Sequence, residues 1–273
     1  MTTQAERTGR LLPGSETPMT ARPRAGQQWF VLTSRMLGSI TRSGEILFAA
    51  VAPALFAMCF YLPLRSIMNA YPGMNYAQYL MPIIALQSIG FASTSSAMRA
   101  SYDGDQGITT RLRSLPLPRP IPVLARTAAN AVMLLVVLVC ALIACTLIGW
   151  RASSLASAVL VIVAAFVIGM VLVLLSDAVG MLSPGPEATS QMMGLPIMLL
   201  AMVSTGFIPE AQFPEWIQPF VRNQPISQFA TTLRDINDGT VDTAQLTTTL
   251  WWLGGLLVLF ATLMAIAIRK RRA

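Results

Sequence analysis

The chain has 273 residues, 54% of them hydrophobic and only 11% charged, with no histidine and a formal net charge of +7. Soluble globular proteins carry about 25% charged residues, so a water-soluble body is excluded. The absent histidine removes the usual general base and the commonest metal ligand, and Cys59, Cys140 and Cys145 lie in apolar runs that suit packing rather than a disulfide framework or a zinc site.

Residues 1–28 are rich in Arg, Pro, Gly and Ser and lack the apolar core of a secretory signal, which predicts a flexible cytoplasmic tail. In 29–44, Trp29, Leu32, Met36 and Ile40 recur at helical spacing, with Arg35 and Arg42 between them. That pattern predicts an amphipathic interfacial helix with its tryptophan at headgroup level, or a cytoplasmic extension of the first span. Region 45–268 holds six apolar stretches, 46–64, 79–98, 127–149, 155–175, 188–208 and 249–268, none containing Asp, Glu, Lys or Arg. Each is near the roughly 20 residues needed to cross a bilayer. Peptide groups in lipid need internal partners, and continuous runs do not alternate like barrel strands, so the fold class is an all-α membrane protein of six transmembrane helices.

The arginines set the expected orientation. With the N-terminus inside, Arg7, Arg10, Arg22, Arg24, Arg35 and Arg42 are cytoplasmic. Two crossings later Arg99, Arg111, Arg113, Arg119 and Arg126 join them, and the chain closes with the basic cytoplasmic end 269–273. Only Arg65, Arg151, Arg222 and Arg234 stay outside, so both termini are expected in the cytoplasm. Basic residues scattered over three segments also exclude a nucleic-acid surface.

Within the spans the chemistry is uncharged. Gln87, Ser88 and Ser95 in the second span, and Gln191, Met192 and Ser204 in the fifth, are candidates for lining a substrate pathway. The same small and hydroxyl residues also let helices pack closely. Spans without ionisable groups are poorly suited to proton or sodium coupling. The chain has no phosphate-binding loop, and Lys270 is its single lysine, so any energy from ATP must come from another subunit. Asp103 and Asp105 are spaced like half of a metal motif, without a histidine to complete it.

Two connections stand out. The loop 99–126 divides into a short helix over 105–115, with Asp105 at its cap, and a stretch where Pro116, Pro118, Pro120 and Pro122 stop helix continuation. The segment 209–242 is divided by Pro214, Pro219 and Pro225 and carries Trp216, Ile217, Phe220 and Val221, which predicts two external helices resting on the outer interface.

These segments resemble those of the membrane subunit of ABC-2 type exporters, in the daunorubicin-resistance branch, and within it the mycobacterial permeases that export phthiocerol-type waxy lipids. The resemblance runs from about Trp29 to the C-terminus. It rests on Gly107, Arg111-Leu112, Leu115-Pro116 and Arg126 in the loop, and more specifically on Gly206, Pro209, Phe213-Pro214, Trp216-Ile217, Pro219-Phe220, Asn223-Gln224-Pro225 and Leu233-Arg234. It implies two six-span subunits, identical or dissimilar paralogues, working with separate ABC ATPase subunits that use ATP and Mg. It places ATPase coupling at Gly107, Arg111, Leu112, Arg113 and Pro116, with a second coupling contact near 177–187. Phe213, Trp216 and Phe220 would cap the exit. The implied function is outward transport of a hydrophobic or amphipathic lipid or drug across the plasma membrane. This chain then binds membrane lipids but no cofactor, metal or nucleic acid. The alternatives are a lipid-modifying integral membrane enzyme, built on Asp103, Asp105, Asp177 and Glu187, and a passive pore.

Overall fold

A computed structural model describes residues 25–70, 75–108, 118 and 120–270. The tail before residue 25, the loop residues Arg111, Leu112, Arg113 and Pro116, and the last three residues lie outside the described residues. Among the described residues the fold is all-helical: α1 (Ala25–Arg42), α2 (Glu45–Met68), α3 (Tyr76–Asp105), α4 (Pro120–Leu147), α5 (Leu155–Leu182), α6 (Pro186–Met202), α7 (Gln218–Asn223), α8 (Pro225–Asp238) and α9 (Thr243–Lys270).

Among the described residues five helices are long and apolar enough to cross a membrane, over Val51–Met68, Tyr76–Asp105, Pro120–Leu147, Leu155–Leu182 and Thr243–Arg269. The chain is thus a multi-pass membrane protein. The remaining expected span, 188–208, is helical as α6 for only 17 residues, a rise of about 25 Å. It stops at Met202 because the backbone that follows is held from outside the helix. The Tyr79 hydroxyl donates to Thr205 O (2.5 Å) and the Tyr76 hydroxyl to Phe207 O (3.3 Å). Ser227 Oγ accepts from the Thr205 N–H at 3.0 Å, and Gln224 donates to Val203 O. The turn also needs Gly206: a Cβ there would stand 2.6 Å from Ile83.

α3 is the central helix. Its buried positions include Tyr76, Leu80, Ile83, Ile84 and Ile89, so more than one face is covered, and α2, α4, α5, α6 and α8 all pack on it. Small residues allow this crowding, because without a large Cβ substituent helix backbones approach closely in lipid. The tightest approach is at Gly180 of α5, where a Cβ would fall 2.1 Å from the Ala97 carbonyl oxygen of α3. α1 packs on α4 and α2, and α9 lies at the edge against α5 and α8. The α2–α3 seam is aromatic: Phe56 of α2 meets Phe60, Phe91 of α3 and Phe207 from the turn after α6, and the Phe60–Phe207 centroids are 4.1 Å apart.

Two local expectations need correction. Pro120 and Pro122 do not hold the chain out of helix. They occupy the first turn of α4, where a missing N–H costs no intrahelical bond. The segment 209–242 is more than two helices resting on an interface. A 3-10 turn (Glu210–Gln212) and the six-residue α7 are followed by α8, which packs into the bundle against α3, α5 and α9. The cause is a strongly one-sided sequence: Ser227, Phe229, Ala230 and Leu233 are buried while Asp238 is exposed.

Candidate functional site: a charged loop end and a membrane-depth cavity

Helices longer than the predicted spans bring ionisable side chains onto them. Glu45 opens α2, Arg99 and Asp103 lie near the end of α3, Arg126 is in the second turn of α4, and Asp177 is within α5. The expectation of charge-free helices therefore holds only for their middle portions. At the end of the bundle that bears the 99–126 loop these groups form one connected network. Arg99 pairs with Glu45, and its Nη2 donates to Asn130 Oδ1 at 3.0 Å. Asn130 Nδ2 donates to Ser96 Oγ (2.8 Å), and Ser96 Oγ donates to Asp177 Oδ1 (3.3 Å). Arg126 closes the chain, with Nη2 on Asp103 Oδ2 at 2.7 Å and Nη1 3.7 Å from Asp177 Oδ2.

Helix spacing explains the convergence. Ser96, Arg99 and Asp103 recur at i, i+3 and i+7 on α3, and Arg126 and Asn130 at i, i+4 on α4. One consequence is mechanical: Asp103 and Arg126 bracket the loop, so its two ends are tied to each other and, through Asp177, to α5. The α5–α6 turn adjoins as well, since a Cβ at Gly185 would lie 3.7 Å from Asp105 Oδ2. Gly107 follows directly, at φ +63°, a left-handed conformation that favours glycine. Asp103 and Asp177 thus share Arg126, whereas Asp105 and Glu187 are exposed on either side of the turn.

The pathway candidates are not brought together. Gln87 is buried on α3 and lines a cavity, while Ser88 turns its hydroxyl to Ile84 O of its own helix at 2.7 Å. Ser95 is half-buried, and Gln191 and Met192 are exposed on α6. Ser204 is buried in the turn after α6, where it donates to Ala201 O at 2.6 Å. The cavity, of about 190 Å³, is enclosed by α3, α5, α6, α8 and α9. Ser93 and Met193, from the same hydroxyl- and methionine-bearing stretches of the sequence, line it with Ser176, which sequence reading missed. Hydroxyl content flagged the right helix, but only packing tells which serines bond to their own backbone. At the opposite end of the bundle Phe213 is half-buried, Phe220 exposed, and Trp216 80% exposed. There the Arg234 guanidinium lies 3.9 Å over the Tyr79 ring and donates to Tyr79 O at 3.2 Å, which fixes α8 on α3.

Comparison with known proteins adds the family. A model of the ABC-2 type transporter family matches residues 27–236. The chain is 33% identical to the doxorubicin resistance ABC transporter permease protein DrrB of Mycobacterium tuberculosis, over 90% of each chain. It is 26% identical to the probable doxorubicin resistance permease protein DrrC of that organism, covering 95% of this chain and 93% of the relative. The daunorubicin resistance permease protein DrrB1 of Streptomyces coeruleorubidus is 24% identical over 73% of this chain and 71% of the relative. The chain therefore belongs to the ABC-2 type transporter family.

Proposed function

We propose that this ABC-2 family chain is the membrane subunit of an ATP-driven exporter. It moves a hydrophobic or amphipathic lipid or drug outward across the plasma membrane, while a separate ABC ATPase hydrolyses ATP with Mg. A second permease, either another copy or a dissimilar paralogue, completes the membrane part, and this chain performs no chemistry of its own. The names of the relatives, resistance permeases, support transport rather than catalysis. In this reading the loop end faces the cytoplasm, as the distribution of arginines favours. Phe213, Trp216 and Phe220 then cap the outer end.

The observation that carries the coupling is the Arg126 pairing. A connection whose two ends are held by Asp103, Arg126 and Asp177 transmits a push to α3, α4 and α5 together. Gly107, Arg111, Leu112, Arg113 and Pro116 supply the ATPase-docking surface beyond that clamp, and the α5–α6 turn supplies a second contact. The test is co-purification with a candidate ABC ATPase. Replacing Gly107, Arg111 and Leu112 together by glutamate is expected to abolish it while the chain still inserts and melts normally. Unchanged co-purification would overturn the docking assignment.

A further inference from the structure

Arg126 is stretched between two carboxylates and fully satisfies neither. Its Nη2 is 2.7 Å from Asp103 Oδ2, but its Nη1 stands 3.7 Å from Asp177 Oδ2. A guanidinium is a planar fork whose strongest contact with a carboxylate is bidentate, at about 2.8 Å on both arms. Here the fork is split, and the split runs against burial. Asp177 is the deeper acid, with 12% of its side chain exposed against 25% for Asp103. Attraction between opposite charges grows as water is excluded, so the close contact would be worth more on Asp177. The two acids also differ in what holds them. Asp177 lies one turn before Gly180, and its partner Ser96 is next to Ala97, where α5 and α3 meet backbone to backbone. Asp103 instead lies two residues before the end of α3, at the mouth of the loop, with the left-handed Gly107 just beyond it. Asp103 therefore travels with the loop, and Asp177 stays with the bundle.

We propose that Arg126 is a two-position switch. In the arrangement described it bridges Asp103 and Asp177. When the loop end of α3 is drawn away, it leaves Asp103 and closes its fork on Asp177. The move needed at Nη1 is about 1 Å. Asp103, the more exposed acid, then meets water, and giving up a solvent-exposed ion pair costs little. A displacement of the loop thus becomes a change of partner between helices: α4 is released from α3 and tightened on α5. The exchange also reaches α2. Ser96, which donates to Asp177, accepts from Asn130, and Asn130 accepts from the Arg99 that pairs with Glu45. The exchange is a property of the chain by itself, and only its use by an ATPase rests on the proposed export function.

Thermal unfolding of the full chain in lipid nanodiscs tests the exchange with carboxamide variants, since Asn keeps the size of Asp and removes its charge. In a fixed clamp the two ion pairs are independent, so Asp177→Asn lowers the melting temperature equally with and without Asp103→Asn. With exchange, Asp103→Asn sends Arg126 wholly to Asp177. Asp177→Asn is then expected to lower the melting temperature by about twice as much in the Asp103→Asn background as in the parent. Asp105 lies at the same loop end but, among the described residues, is not ion-paired with Arg126. Asp105→Asn is therefore expected to leave the loss unchanged, which controls for net charge. A double variant Asp103→Asn/Asp177→Asn that does not fold, where both single variants and Asp105→Asn/Asp177→Asn do, counts as an enhanced loss. An equal or smaller loss, or the same enhancement with Asp105→Asn, overturns the switch. Reconstitution with the partner ATPase separates the switch from the function. ATP-driven movement that Asp103→Asn leaves fully coupled, alongside the enhanced loss, removes the ATPase's use of the switch and leaves export standing. An enhanced loss without any ATP-driven movement by the parent complex removes the export function and leaves the exchange standing.

Discussion

Arg126 is the residue on which the loop-end network turns. It holds two carboxylates, Asp103 and Asp177, and among the described residues it is the one basic side chain ion-paired with either of them. Arg126→Met is therefore expected to cost about 2–4 kcal/mol, since two partly buried negative charges lose their counter-ion. Asp177→Asn keeps a hydrogen-bonding side chain beside Ser96 and is expected to cost clearly less. Thermal unfolding of the two variants in detergent checks the order, and equal or reversed losses would remove Arg126 from its central place. At the other end of the molecule Asp235 carries a pH signature. Burial pushes its carboxyl above the ordinary value, with Asp238 and Asp242 adding to the rise against the opposing pull of Arg234. The folded chain then holds that proton more tightly than the unfolded one, so ionised Asp235 costs stability at neutral pH; the cost fades as pH falls through the raised folded value and is gone below the ordinary carboxylate value. Asp235→Asn is expected to raise the melting temperature at neutral pH and to lose most of that gain below about pH 4. An equal gain at both values would contradict the assignment.

Among the elements, the contact of α3 with α5 decides whether the clamp can act. Gly180 sits against backbone atoms of Ala97, and backbone cannot swing aside as a flexible side chain can. Gly180→Ala is expected to cost about 1–3 kcal/mol through overpacking and to lower coupled transport more than it lowers insertion. A variant as stable and active as the parent would show that these helices separate freely. The long apolar spans were legible in the sequence because lipid excludes charge from whole helical turns, and so was an amphipathic stretch beginning at Trp29. The end of α6 was not. Residues 203–208 read as an apolar continuation of the span, and their carbonyls are taken by the hydroxyls of Tyr76 and Tyr79, more than a hundred positions away, and by Gln224. The insertion of α8 was hidden because its buried face mixes Ser227, Gln228, Thr232 and Asn237 with Phe229, Ala230 and Leu233, a pattern that also suits an interfacial helix until α3 is set against it.

For the whole molecule, one bundle carries two features at different depths: a charged clamp at the loop end and an apolar cavity between the spans. Asp103 was visible in the sequence as half of an incomplete metal motif with Asp105, and Asp177 as an acid of the enzyme alternative, but their use depended on Arg126 meeting both, and the register of three helices sets that meeting. The family assignment agrees with the resemblance read from the loop 99–126 and the segment 209–242. The central claim is that this chain transports only with a partner's hydrolysis. Its most direct test is reconstitution into liposomes of the chain alone, of the chain with its ABC ATPase, and of the same complex bearing Arg126→Met. The account predicts no ATP hydrolysis by the chain alone, ATP-dependent movement of a fluorescent lipid or drug by the complex, and weakened coupling of hydrolysis to movement in the variant. Hydrolysis by the purified chain alone, or movement that proceeds at the same rate without ATP, would contradict it.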